Sequence, residues 1–225
     1  MRSRIFIFTL FILSFCSSAY SQVVELQDSE LDSVEHARYL SGDITKLLNA
    51  SINYSVSALE SKTEGDVILS FIIDKNGKMN NLAIVSSPHK SLSTSSILAM
   101  NTLENNWSPY KVNNQPLDKK YIIIFRYRMY LNTQPPTYKK EAERLFKKQK
   151  YEKALKYYNW AIDENKYDAE LFDARSIIKD ILSDSEGAKQ DKEVCNVLKN
   201  EVFKFIDVVS IGITKKVTKT TVIKR

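Results

Sequence analysis

The chain has 225 residues, 43% of them hydrophobic and 27% charged, with a formal net charge of +6. That length suits one or two domains, and the apolar content excludes a chain that is disordered throughout. The excess charge is modest and no aromatic stacking pattern accompanies the basic residues, which argues against nucleic-acid binding.

In chain order, Arg2 and Arg4 precede an apolar run from Ile5 to Phe15 and small residues ending at Ser21. Residues 1–21 therefore read as a secretory signal cleaved before Gln22, because the run is about half the roughly 20 residues of a spanning helix. A retained inner-membrane anchor and a lipoprotein attached through Cys16 are the alternatives, and membrane contact is expected only in those two cases. The bulky Phe15 fits poorly before a lipidated cysteine. Cleavage lowers the charge to +4 and leaves Cys195 alone, so stability is expected to come from packing and not from a disulfide. Residues 22–38 carry Glu25, Asp28, Glu30, Asp32 and Glu35 with weak periodicity, and read as a flexible lead or loose helix.

From Asp43 a short helix with Ile44, Leu47 and Leu48 on one side is expected, then a second over Val56 to Glu60. The period changes next. Val67, Leu69, Phe71 and Ile73 alternate with Ile68, Ser70 and Ile72, which predicts a strand. The turn signal from Asp74 to Gly77 joins it to a second strand over Lys78 to Ser86, making a β-hairpin. A helix from Leu92 to Leu103, capped by serines, ends before Trp107 and Pro109. Lys120 to Tyr130 reads as another strand, with Tyr121, Ile123, Phe125, Tyr127 and Met129 on one face and Arg126 and Arg128 on the other. Residues 132–137, with Pro135 and Pro136, form the expected linker.

Beyond the linker, small residues recur 34 positions apart: Ala142 with Ser176, Ala154 with Ala188, Ala161 with Cys195. Leu145, Phe146, Tyr151 and Tyr158 complete the first unit, while the second keeps Leu182 but has Ser185 and Lys192 in place of the tyrosines. Residues 135–202 thus resemble tetratricopeptide repeats, in which helical hairpins pack closely at small side chains. The helical unit is expected over 138–205. The resemblance implies protein binding, with Lys147, Lys150, Tyr151, Lys153 and Tyr158 as the candidate face. Two units are fewer than the three usually needed to stack alone, so they are expected to be capped by the helix after Val194 or to lean on the preceding domain. The final residues, 206–225, form a basic tail compatible with a strand, a helical extension or an unstructured end.

The stretch 39–131 resembles the C-terminal domain of the TonB family. Gly42, Tyr54 with Ala58, Gly65 before the hairpin, Phe71, Ile73, the turn at Asp74 to Gly77, Val85, Ser86, Trp107, Pro109 and the strand closing at Tyr130 carry the resemblance. Ser55 replaces a usual proline, and Asn113 and Asn114 replace a turn glycine, a change that Asn tolerates because it accepts left-handed backbone. The resemblance implies an α+β fold: a small antiparallel sheet with helices, followed here by the all-α helical-hairpin unit. It also implies a periplasmic location and a partner that adds an extended segment to the sheet edge. Tyr121, Ile123, Phe125, Arg126, Tyr127 and Arg128 would form that edge, and the arginines would favour an acidic peptide. The partner would be an envelope protein or extended peptide segment, an outer-membrane receptor among them.

No catalytic group, cofactor or metal is expected. His36 and His89 lack second ligands at metal spacing, the serines at 91, 93, 95 and 96 lack flanking elbow glycines, and Asp74 belongs to a turn. Arg175 and Asp191 are placed to pair across consecutive helices as a structural contact. The reading is a non-enzymatic binding adaptor of the bacterial envelope. The alternative, a TonB-type energy transducer serving outer-membrane receptors, needs an anchor and a long spacer. Residues 16–38 could extend to about 80 Å at roughly 3.5 Å each and contain no proline.

Overall fold

Alternating apolar residues at 65–73 build the strand on which the first half of the molecule is assembled. The computed structural model describes residues 33–131 and 136–212, so the expected signal at 1–21 and the tail beyond Gly212 lie outside the described residues. The elements are β1 (Val34–Glu35), β2 (Arg38–Tyr39), α1 (Ile44–Ser51), α2 (Val56–Glu60), β3 (Gly65–Ile73), β4 (Met79–Ser86), α3 (Lys90–Met100), β5 (Trp107–Ser108), β6 (Tyr110–Val112), β7 (Gln115–Leu117) and β8 (Lys119–Leu131). Four more helices follow, α4 (Tyr138–Lys147), α5 (Tyr151–Glu164), α6 (Ala169–Ile181) and α7 (Ser185–Glu201), and then β9 (Val202–Gly212). The fold is α+β, a small sheet domain followed by helices.

The main sheet runs β4-β3-β8-β9. Val67, Leu69, Phe71 and Ile73 are fully buried on its core face, against Leu48 of α1, Ala58 of α2 and Leu92, Ala99 and Met100 of α3. Local chemistry starts the helices: the Asp43 carboxylate accepts from the N–H groups of Thr45 and Lys46, and the Ser55 hydroxyl from that of Ala58. At α3 the cap is the His89 ring, which accepts from the N–H of Ser91 where a serine was expected. The hairpin turn closes at Gly77, whose φ of +72° suits glycine. A Cβ there would meet the carbonyl oxygen of Trp107, so the turn is pressed onto β5. Asn113 and Asn114 join β6 to β7 with φ of +50° and +63°, the left-handed pair expected of them.

The four helices pack in succession, and the 34-residue offset is carried by their backbone. Helices α4 and α6 end 34 residues apart, α5 and α7 begin 34 residues apart, and the left-handed residues Gln149 and Ser183 share that offset. In both turns an N–H reaches back five residues, Lys150 to the carbonyl of Leu145 and Asp184 to that of Lys179. This closes the helix end as a Schellman motif. All six recurring small residues, Ala142, Ala154, Ala161, Ser176, Ala188 and Cys195, are buried. Arg175 and Asp191 do pair, at 2.6 Å, with Lys179 2.9 Å from the same carboxylate.

Two expectations change at the ends. The segment before Tyr39, expected as a flexible lead or loose helix, contributes β1 and β2, which pair with β6 and β5; residues 22–32 lie outside the described residues. The helical unit stops at Glu201 and not at 205, and its expected last residues join the start of the expected tail, 206–225, to form β9 over Val202–Gly212. Of the two supports expected for the helices, a cap after Val194 or the sheet domain, the structure shows the second. Helix α7 is continuous through Val194, and the chain then returns to the sheet. Phe203, Ile206 and Val208 enter the core beside Phe71, Trp107 and Tyr121.

Because β9 supplies core side chains, the two halves should unfold together. Trp107 sits in the sheet core and Trp160 in the helical layer, so the single-tryptophan variants Trp107→Phe and Trp160→Phe report each half separately. Coincident urea transitions are expected, and Ile206→Ala should lower both by about 3 kcal/mol. Transitions that separate, or a variant that shifts only the sheet signal, would show the halves to be independent.

Candidate functional site

The candidate edge strand, β8, has neighbours on both sides. It pairs antiparallel with β3 from Gly65↔Tyr127 to Ile73↔Lys119, and parallel with β9 from Ile122↔Val202 to Leu131↔Gly212. Its main-chain groups are therefore committed along the length expected to receive a partner strand. The expectation of a free edge there is corrected: the chain's own β9 fills it. The free edges of the sheet among the described residues are the outer sides of β4 and β9.

The side chains follow the same logic. Tyr121, Ile123, Phe125 and Tyr127 point into the helix-covered core and are buried. The Tyr121 hydroxyl accepts from the N–H of Ala37, and burial pushes its pKa to about 12. The Tyr127 hydroxyl lies 2.9 Å from that of Ser96 and donates to the carbonyl of Leu92. Arg126, expected as an exposed residue for an acidic peptide, is only 4% exposed. Only Arg128, half-buried, keeps the expected access at this strand.

Arg126 joins the two halves of the molecule. Its Nε and Nη2 grip the Asp66 carboxylate on β3 at 2.8 and 2.9 Å, and Nη1 donates to the carbonyl of Glu164 at the end of α5. The guanidinium also lies 4.9 Å from the ring of Phe205 on β9. Burial works against its charge, but the Asp66 hydrogen bonds, with Asp66 and Asp207 as counter-charges, raise its pKa above the ordinary value. A helix C-terminus carries partial negative charge, so the Glu164 carbonyl suits a cation. Around this contact, burial raises the carboxyl pKa of Glu164 and pushes Tyr167 to about 12.

On the helical unit, Lys147, Lys150 and Lys153 are exposed as expected, whereas Tyr158 is buried in the core and not on a binding face. Its position between Ala154 and Ala161 places it on the interior stripe. Tyr151 is half-buried, with its ring 5.9 Å from that of Phe146. A surface group missed in the sequence is the aromatic cluster of Tyr138, Tyr157 and Trp160, with Lys156 above the Trp160 ring at 4.9 Å. The i, i+3 spacing of Tyr157 and Trp160 was the available signal. His36 meets Tyr110 edge-on. Among the described residues no three His, Cys, Asp or Glu side chains gather as a metal site, and no helix is long and apolar enough to cross a membrane.

Arg126→Ala should cost about 3 kcal/mol in urea unfolding, because it leaves Asp66 and the Glu164 carbonyl without their partner. Arg126→Lys should recover only part of that, since an ammonium cannot match the two-pronged contact. Equal stability of all three proteins would remove Arg126 from this role. Glu164 gives a pH test. Its raised folded pKa means that the folded state holds the extra proton, so stability is lost as pH rises from the ordinary carboxylate range through the raised value. As pH rises from the ordinary carboxylate range through neutrality the wild type should lose more stability than Glu164→Gln, and parallel curves would contradict this.

Residues 50–129 match a family model described as Gram-negative bacterial TonB protein C-terminal. No curated protein matches the chain. No solved structure matches it either. The match begins inside α1 and ends in β8, before the helical layer and β9. The sheet domain of this protein thus carries a segment similar to the TonB C-terminal domain, extended by four helices and a strand of its own.

Proposed function

We propose that the protein is a non-enzymatic protein-binding adaptor of the bacterial cell envelope, exported through residues 1–21 to the periplasm. It combines a TonB C-terminal-like domain with two tetratricopeptide-like helical hairpins. The observation that carries this reading is the pairing of β9 with β8. A TonB-like sheet whose edge is already filled has no place at β8 for a receptor segment, while the helical hairpins that deliver β9 leave Lys147, Lys150 and Lys153 open to solvent. Protein recognition then falls to the surfaces that remain.

The family match also supports a second reading, a component of a TonB-type energy transducer that serves outer-membrane receptors. The filled β8 edge weighs against it, because strand addition needs unpaired main-chain groups. Photo-crosslinking residues placed at Lys150 and at Arg128 in living cells separate the two. Capture of envelope proteins at Lys150, with none at Arg128, is expected. Capture of outer-membrane receptors at Arg128 would favour the transducer, and no capture at either position would overturn the adaptor reading at these surfaces.

A further inference from the structure

Several cations of the structure have an acidic neighbour. Lys111 meets Glu35, Lys139 meets Asp168 and Glu170, Arg144 meets Glu141, and Lys192 meets Asp173. Between the stretch 36–44 and the passage from α7 into β9 lies an open cleft of about 350 Å³, lined by His36, Arg38, Lys199 and Lys204 with no Asp or Glu among its lining residues. Lys199 reaches Asp173 only at 3.9 Å. Among the described residues no ion pair engages Arg38 or Lys204, although the charges of Lys199 and Lys204 both act on Glu170. Burial and the nearby charge of Lys119 lower the pKa of His36, so this ring resists adding a further cation.

The groove also has an aromatic wall. Tyr39, Tyr121 and Phe203 line it, with the Tyr121 and Phe203 rings 5.5 Å apart. Tyr39 and Phe203 are both held edge-on by Trp107, at 4.8 and 5.3 Å. Cations gathered in a cleft whose own lining holds no acid repel one another and create a positive potential there. An anion relieves that repulsion, and rings beside the charges give purchase to apolar side chains that a simple inorganic anion lacks.

We infer that this groove receives an acidic segment of a partner protein, its carboxylates meeting Arg38, Lys199 and Lys204 and its apolar side chains resting on Tyr39 and Phe203. The inference rests on the adaptor reading and names the chemistry of one partner contact. It moves the preference for acidic peptide from β8, where Arg126 is committed to Asp66, to the start of β9.

The probe is a fluorescein-labelled peptide alternating Glu with Leu and Tyr, titrated into the full chain and followed by anisotropy. Saturable binding that weakens with added salt is expected, with roughly a tenfold or greater loss in the double variant Arg38→Glu/Lys204→Glu. The control Lys62→Glu/Lys90→Glu, which changes the charge by the same amount at exposed positions outside both the groove and the helical face, should bind as the wild type does. Tyr39→Leu should weaken the peptide without changing the response to salt. Equal losses in both double variants would overturn the inference, because they would mean attraction by net charge alone. Complete displacement by millimolar inorganic phosphate would also overturn it, as a site for a bare anion. The circular dichroism of each variant checks that it folds. A failure here with capture at Lys150 in cells would leave the adaptor reading standing, so the two can fail separately.

Discussion

A buried guanidinium organises this molecule. Arg126 stands on the middle of the sheet and holds a carboxylate from β3, a main-chain carbonyl from the end of α5 and the ring of Phe205 on β9. A cation removed from water is tolerated only when its donors are matched, and here the matching groups come from three different parts of the chain. The contact therefore fixes a relation between parts as well as a local geometry. The helical layer has to sit where the Glu164 carbonyl meets β8, and β9 has to lie alongside for Phe205 to cover the group. A layer of two hairpins is short for an independent stack, and it gains the missing support from the sheet.

The same arrangement decides what the sheet can bind. In an open sheet the last strand offers a row of unpaired amides and carbonyls, which serves both recognition and unwanted aggregation. Here that row is satisfied from within, by a strand whose Ile206 and Val208 are part of the core. Besides the outer main-chain edges of β4 and β9, the candidate groups for recognition are side chains: lysines on the first hairpin, an aromatic cluster around Trp160, and the cations near Lys204. Recognition by side chains depends on charge and shape, and it is more sensitive to salt than strand addition is.

Much of the architecture was legible because it is periodic. Alternation in β3, the turn at Asp74 to Gly77 and the small residues at the 34-residue offset each state their own structure locally. The Asn113–Asn114 turn was legible from backbone tolerance alone. Arg126 was misread because alternation assigns two faces but does not say that both are covered. A signal was present: Tyr121 to Phe125 is an unbroken apolar run, and Ile124, on the face of Arg126, is fully buried. Such runs mark strands with cover on both sides. The pairing of β9 was not legible, since its Val, Ile and Lys suit several structures and its partner lies some 80 residues earlier. Tyr158 shows the converse, a tyrosine assigned to the binding face from the repeat resemblance while its spacing from Ala154 and Ala161 already placed it inside.

The parallel partner of β8 is also the last of the described elements in chain order. A chain emerging from its N-terminus makes β3, β4 and β8 early, yet the sheet lacks Phe203, Ile206 and Val208 until all four helices have been added. Pairing across so long a separation carries a large loop-closure cost and is slow to form. A shortened product would leave a main-chain edge and an aromatic core exposed together, the combination that proteases and chaperones recognise. A chain truncated before β9 thus lacks both the strand that covers β8 and the side chains that complete its core.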